Sequence, residues 1–253
     1  VNPAGEIGFE AATLAEQAEL EEGSFWFQGR NRLIAWAVGV HFPQARSFLE
    51  VGCGTGVVLA HLRASFPELE LVGGEPLSTG LEIARERLPG VEIVALDGRD
   101  IPYEGRFDLI GAFDVLEHVA EDERMLAQMR GALRPEGGMI LTVPQHPFLW
   151  SAKDDYLMHE RRYRRGELVR KVEAAGFEVL RVTSFVSTLL PLMLASRFAR
   201  RISGRGGVAV DELSMPEPLQ RALGLGMRLD LALIRRGVSL PAGGSLLLVG
   251  RAK

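Results

Sequence analysis

The stretch Phe48-Leu49-Glu50-Val51-Gly52-Cys53-Gly54-Thr55-Gly56 decides the fold. Four residues of strand character run straight into a glycine-rich turn, and an apolar helical pattern from Val57 to Phe66 follows at once. Glycine tolerates the backbone of a tight turn and leaves room for a ligand where a Cβ would clash. In open α/β sheets such a turn, at the carboxyl end of the first strand, is the usual ligand site. Working outward, strand patterns recur at Leu69 to Gly73, Val91 to Leu96, Phe107 to Phe113, Met139 to Val143 and Phe177 to Phe185. Helical patterns separate most of them, at Ser78 to Leu88, Glu121 to Leu133 and Gly166 to Ala175. Alternation of this kind predicts parallel βαβ units and a doubly wound α/β sheet. Ser245 to Gly250 adds a last strand.

The flanks read differently. Residues 1–46 form a helical lid: an acidic helix over the first 30 residues ends in Phe25-Trp26-Phe27, and a second helix runs from Leu33 to Val40 and stops at Pro43. Residues 47–186 are the core, 187–244 a cap inserted before the last strand, and 245–253 that strand. The insertion holds an apolar, Arg-ended run from Leu189 to Arg201, a Gly204-Arg205-Gly206-Gly207 linker and a helix from Pro218 to Arg236. A connection so long is unusual without a role.

The 253 residues are 47% hydrophobic and 25% charged, with a net charge of −4. Those values suit a globular protein and exclude a disordered or collagen-like chain. The balance argues against a nucleic-acid binder. The single cysteine, Cys53, can form neither an internal disulfide nor a zinc site by itself, so no metal is expected, and it fits a reducing cytoplasm. Val1 to Glu6 carry neither a basic nor an apolar leader region, and no apolar run is long enough to span a bilayer. Arginine far outnumbers lysine, which points to a GC-rich bacterial genome.

The glycines at 52, 54 and 56 follow a G-x-G-x-G spacing, whereas a dinucleotide fingerprint needs G-x-G-x-x-G. Glu50, just before them, is badly placed against a pyrophosphate but suits an ammonium group. Glu75-Pro76 ends the second strand, about 20 residues on, where a carboxylate accepts from ribose hydroxyls. Asp97-Gly98 ends the third strand and is placed to meet an adenine edge; Asp114 ends the fourth, with His118 beyond it. Four carboxylates at successive strand ends are hard to assign to chance.

With these motifs in place, the chain resembles the class I S-adenosylmethionine-dependent methyltransferases from about Phe48 to Phe185. The resemblance implies a Rossmann-like seven-stranded sheet whose last strand is antiparallel. It implies S-adenosylmethionine as cofactor, S-adenosylhomocysteine as product, and Glu50, Gly52, Cys53, Gly54, Gly56, Glu75, Pro76, Asp97, Gly98, Asp114 and His118 as cofactor-binding residues. Leu133 to Gly138 looks like the turn before the family's fifth strand. Asp114-Val115-Leu116-Glu117-His118 differs from the Asn/Asp-Pro-Pro-Tyr tetrad of DNA amino-methylating enzymes and looks like the small-molecule branch (methyltransferase type 11/12-like). Two rivals stay open: a non-catalytic cofactor-binding partner protein, and a nicotinamide-dependent oxidoreductase.

For the acceptor, Pro144 to Tyr163 opens over the site, and it resembles bacterial enzymes linked to surface-polysaccharide or lipid-carrier pathways. His146, then His159, are the candidate general bases, because an acceptor hydroxyl must lose its proton. Arg161, Arg162 and Tyr163 suit an anionic acceptor group, and Trp26 with Arg30 suits a lid. Residues 151–205 hold 12 Lys and Arg against 6 Asp and Glu, which also favours an anionic or lipid-linked acceptor. The Leu189 to Arg201 run admits three readings: peripheral membrane contact, a homodimer interface, or a buried cap helix.

Overall fold

The computed structural model describes Ala18, Glu21, residues 23–203 (198–203 by backbone alone) and 216–253. Most of the expected acidic first helix and the Gly204–Gly207 linker lie outside these residues. The chain runs α1 (Phe25–His41), β1 (Ser47–Val51), α2 (Val57–Ser65), β2 (Glu70–Glu75), α3 (Ser78–Arg87), β3 (Glu92–Ala95) and β4 (Phe107–Phe113). It continues through α4 (Asp122–Ala132), β5 (Leu133–Pro144), α5 (Ala152–Tyr156), α6 (Arg165–Ala174), β6 (Phe177–Phe185), α7 (Leu190–Ser203), α8 (Glu217–Arg235) and β7 (Ser245–Ala252).

The seven strands form one sheet in the order β3-β2-β1-β4-β5-β7-β6, with β7 antiparallel to both neighbours, as the sequence reading expects. Side chains alternate across it, because successive Cβ atoms point to opposite faces. Phe48, Ile140, Leu247 and Val249 join one core with α1, α2, α3 and α8; Leu49, Val51, Met139, Leu141, Leu246 and Leu248 join the other with α4 and α6. With both faces covered, the central strands become the near-continuous apolar runs of the sequence. Strand order reverses between β1 and β4, which opens a crevice at their carboxyl ends.

Three elements depart from the sequence reading. The aromatic cluster and the expected second helix are one helix, α1, whose Gly29 lets Met227 of α8 approach. The Leu133–Gly138 turn lies within β5, as an irregularity in its pairing with β4 where Glu136 takes a φ of 61°. Short turns at Leu116–His118 and Pro147–Leu149, and the helix α5, went unread; each is too brief to show a period. α1 and α8 pack together, and the Phe25 amide donates to Gln220 Oε1 at 3.1 Å. α1 and α8 therefore make a common layer on one sheet face. Among the described residues no helix is long and apolar enough to cross a membrane.

Gly243 joins this layer to β7: a Cβ there would lie 2.2 Å from the Phe185 carbonyl oxygen. That neighbour is backbone and cannot step aside. Gly243→Ala is expected to destabilise the protein by about 1–3 kcal/mol, the usual cost of overpacking. A thermal melt should show a Tm several degrees lower (about 2–4 °C per kcal/mol at this size).

Candidate active site

A cavity of about 1910 Å³ fills the crevice and continues under α7 and α8. Its floor is the β1 turn. Gly52 has a φ of 73°, and a Cβ on it would lie 2.6 Å from Val115. Gly54 also has positive φ, and its amide donates to Glu75 Oε2 at 2.8 Å, while the Leu77 amide donates to Glu75 Oε1 at 3.0 Å. Glu75 thus shapes the turn it faces, and each of its oxygens keeps a lone pair for a ligand. Burial raises its carboxyl against the pull of those two amides. Glu21, also on the cavity wall, holds the turn: its carboxylate accepts from Thr55 Oγ1 at 2.7 Å and pairs with Arg87 at 2.7 Å.

Glu50 is the odd member. It is buried, Oε2 has no hydrogen-bond partner, and burial pushes its carboxyl well above the usual range despite nearby Arg30. Asp114 takes a φ of 58°; its Oδ2 accepts from Arg30 at 2.6 Å and from Thr142 Oγ1 at 2.9 Å. Arg30 lies 4.5 Å over the Trp26 ring, so this ion pair ties α1 to the end of β4. Asp97 reaches the cavity half-exposed, with its carboxylate engaged by Arg99, whose hydrogen bond lowers its pKa. Cys53, Pro76 and Gly98 also line the wall.

On the wall beyond Asp114 lie Glu117, His118 and His159. Glu117 is fully buried, and neither carboxylate oxygen meets a donor; burial and Asp114 push it well above the carboxylate range. Burial and the neighbouring His159 lower His118 to about 4, so it is neutral at pH 7. His159 Nδ1 lies 2.9 Å from Asp154 Oδ1. Burial alone would raise Asp154, but hydrogen bonds from His159 and Arg162 outweigh it and hold the carboxyl well below its usual range. Ser151 and Asp154 form the capping box that starts α5.

Four sequence expectations are corrected by placement. Tyr163 is completely buried, with its hydroxyl 2.7 Å from Asp122 Oδ2, so it cannot meet an acceptor. Arg161 reaches the Val119 and Ala120 carbonyls and Asp122, away from the cavity wall. Both brace the loop that carries Glu117 and His118. His146 has a φ of 64°, stacks on Phe148 at 4.8 Å and stays off the wall. Gly56 also stays off it: the N-cap of α2, it has a φ of 77° and sits where a Cβ would meet Leu88. Arg162 does reach the wall, but its Nε is committed to Asp154 at 2.6 Å. Trp26 and Arg30 line the cavity. Sequence reasoning missed Glu117 as a member of the site and left the partner of His159 open between Asp154 and Asp155; the structure pairs it with Asp154. The adjacent Glu117-His118 pair and the Ser151-x-x-Asp154 box were the only local signals.

Seven strands with an antiparallel last strand and a glycine turn ringed by carboxylates define the class I methyltransferase type of fold and cleft. The sequence matches the methyltransferase domain family over residues 16–182, and the chain belongs to that family. A Mycolicibacterium smegmatis protein named "Probable S-adenosylmethionine-dependent methyltransferase" is 28% identical over 163 residues, 63% of this chain and 62% of its own. The chain thus spans less than two thirds of the first curated relatives it matches. Phosphoethanolamine N-methyltransferase 2 of Haemonchus contortus, solved with S-adenosyl-L-methionine, is 14% identical with a TM-score of 0.64 over 99% of this chain and 60% of that one. A Thermotoga maritima SAM-dependent methyltransferase is 18% identical with a TM-score of 0.58 over 96% of this chain and all of the other. At these identities the structural likeness is one of fold.

The cleft fits a sulfonium nucleoside bearing an amino group: Glu50 holds a buried, unpartnered oxygen, and the backbone of Gly52, Cys53 and Gly54 lines the cavity beside it. Without a ligand, the ionised Glu50 costs stability at neutral pH. Its folded pKa is raised, so that cost grows as pH rises from the ordinary carboxyl range through the raised value. Glu50→Gln is therefore expected to raise the Tm of the ligand-free protein at pH 8 and to make little difference near pH 4. Scanning calorimetry at the two pH values checks this; an equal or lower Tm at pH 8 contradicts it.

Proposed function

We propose that this protein transfers a methyl group from S-adenosylmethionine to an oxygen or nitrogen of a small acceptor that has an apolar body and an anionic group. The observation that carries the reading is the cavity. At about 1910 Å³ it is roughly twice the volume of a usual single-ligand pocket (about 300–1,000 Å³), so two molecules fit side by side. One half is the carboxylate-ringed turn. The other is walled by Trp26, Leu189, Leu192, Met193 and Leu223, with Lys153 and Arg197 at its edge.

In this reading Glu50 meets the amino group of the cofactor, Glu75 accepts from its ribose hydroxyls, and Pro76 with Leu77 lies along its base. When bound, S-adenosylmethionine supplies an activated methyl group. The chain's own work is then to align the acceptor, exclude water and handle the acceptor's proton. His159 is the residue for the proton: Asp154 commits its Nδ1, which leaves Nε2 as the nitrogen offered to an acceptor. His118 beside it is neutral at pH 7 and adds no competing positive charge. Family membership and the glycine spacing favour this over a nicotinamide enzyme. A lipid- or sugar-linked acceptor is the form of the proposal that best suits the apolar cap and its basic edge.

Isotope-labelled S-adenosylmethionine offered with a panel of amphiphilic phenols, carboxylates and phosphates, with products followed by mass spectrometry, tests the activity. Binding of the cofactor without transfer to any acceptor would favour the non-catalytic partner reading. Glu75→Ala is expected to weaken cofactor binding by about 1.5–3 kcal/mol, the cost of losing hydrogen bonds to a charged group. Titration calorimetry measures it, and unchanged affinity removes Glu75 from the site. His159→Asn is expected to lower kcat by about 10²–10⁴-fold while cofactor affinity holds. His146→Asn should stay near wild type.

A further inference from the structure

Three side chains from two loops converge where the acceptor half meets the crevice. Glu117 and His118 follow β4, and His159 follows α5. One ligand atom from each lies within 4.8 Å of the other two. Glu117 has no exposed surface, and neither of its oxygens meets a hydrogen-bond donor. A carboxylate so placed is costly to ionise unless something positive completes it. The two arginines whose charge reaches Glu117 are committed elsewhere, Arg30 to Asp114 and Arg162 to Asp154, each at 2.6 Å.

The histidines stand ready for such a partner. A metal-binding imidazole usually has its second nitrogen held by a carboxylate or carbonyl, which fixes the tautomer and the ring. His159 has that partner in Asp154 at 2.9 Å. The rings of His118 and His159 meet edge to face at 4.7 Å. The loops are fixed against each other: the Glu160 amide donates to the Glu117 carbonyl at 2.7 Å. Behind them Tyr163 and Lys171 both bond to Asp122.

We propose that Glu117, His118 and His159 bind one divalent transition-metal cation that faces the acceptor. Two imidazoles and one carboxylate favour zinc, cobalt, iron or manganese over magnesium or calcium, and they leave coordination positions open. Metal bonds of about 2.0–2.2 Å need ligand atoms about 3.3 Å apart, so small side-chain rotations close the cluster. The open positions lie on the cavity side, where an acceptor oxygen bound to the cation would lose its proton to solvent more readily; with His159 Nε2 then a ligand, the cation takes over the handling of the acceptor's proton that His159 performs in the metal-free chain. The inference rests on reading this half of the cavity as the acceptor half. The cysteine count, which led the sequence to predict no metal, is blind to a site of this composition.

The test adds Co(II) to the metal-stripped full chain and reads visible absorption, dialysis stoichiometry and Tm. One cobalt per chain, displaced by Zn(II) and accompanied by a higher Tm, is the expected result. Glu117→Gln removes a buried unpartnered charge. It should raise the Tm of the metal-free protein and abolish the further rise with cobalt, an opposition that a purely structural Glu117 would not produce. Asp154→Asn should weaken cobalt binding about 10–100-fold through His159. His118→Asn should abolish stoichiometric binding even if the Glu117 variant fails to fold. Absence of stoichiometric cobalt in the wild type, or unchanged binding in both the Glu117 and His118 variants, overturns the site. Calorimetry with S-adenosylmethionine on the same preparations separates the two readings. Cofactor binding without cobalt rejects the metal site alone, and cobalt binding without cofactor rejects the functional reading alone.

Discussion

An ionised carboxylate buried without a partner costs several kcal/mol, and this constraint organises the molecule around its crevice. The parallel strands β2, β1 and β4 deliver Glu75, Glu50 and Asp114 to neighbouring carboxyl ends, and the loop after β4 adds Glu117. The four are handled differently. Glu75 is met by two backbone amides, and Asp114 by Arg30 and Thr142. Glu50 keeps one oxygen unpartnered, and Glu117 keeps both. Apolar residues of similar volume would give a more stable fold at those two positions, so the unmet charge is a functional signature rather than a packing device.

The same charges hold the roof in place. Arg30 reaches from α1 to Asp114, and Glu21 reaches from the preceding segment to Thr55 and Arg87. α8 packs on α1, and α7 leads into the linker before it. Elements far apart in sequence therefore converge on the turn at Gly52–Gly56. The cavity owes its depth to them, because a bare α/β edge offers a groove rather than a chamber.

What the sequence made legible follows from how local each signal is. The glycine turn, the seven strands and the carboxylates at strand ends announce themselves within a few residues, since strand period and turn chemistry are short-range properties. Arg161, Tyr163 and His146 look like site residues in the sequence by residue type alone, a histidine for a proton and an Arg and a Tyr for an anion. Their actual directions are set by the fold: Asp122, far away in sequence, holds the first two, while the positive-φ backbone of His146 turns its ring onto nearby Phe148. Residues one apart on an irregular loop have no fixed relation to a common face, so composition could not separate Arg162, which reaches the wall, from Arg161, which does not. Glu117 was overlooked for the opposite reason. Its neighbours Asp114 and His118 drew the reading, while its own importance lies in having no partner, which only a three-dimensional arrangement can reveal.

The division of labour within the cavity bears on where acceptor choice resides. The crevice half is built from backbone geometry and carboxylates at strand ends, features that follow from the fold and suit one cofactor. The other half is built from α1, α7, α8 and the loop after β5, the segments least determined by the sheet. A fold does not imply its chemistry, and specificity lives in what is grafted onto it. Changes at Leu192, Met193 or Leu223 would leave the carboxylate ring untouched while altering the shape of the space beside it. In the proposed reading, acceptor identity is therefore written in the cap. Glu117, His118 and His159 stand at the boundary, the one place where groups fixed by the sheet edge meet whatever the cap admits.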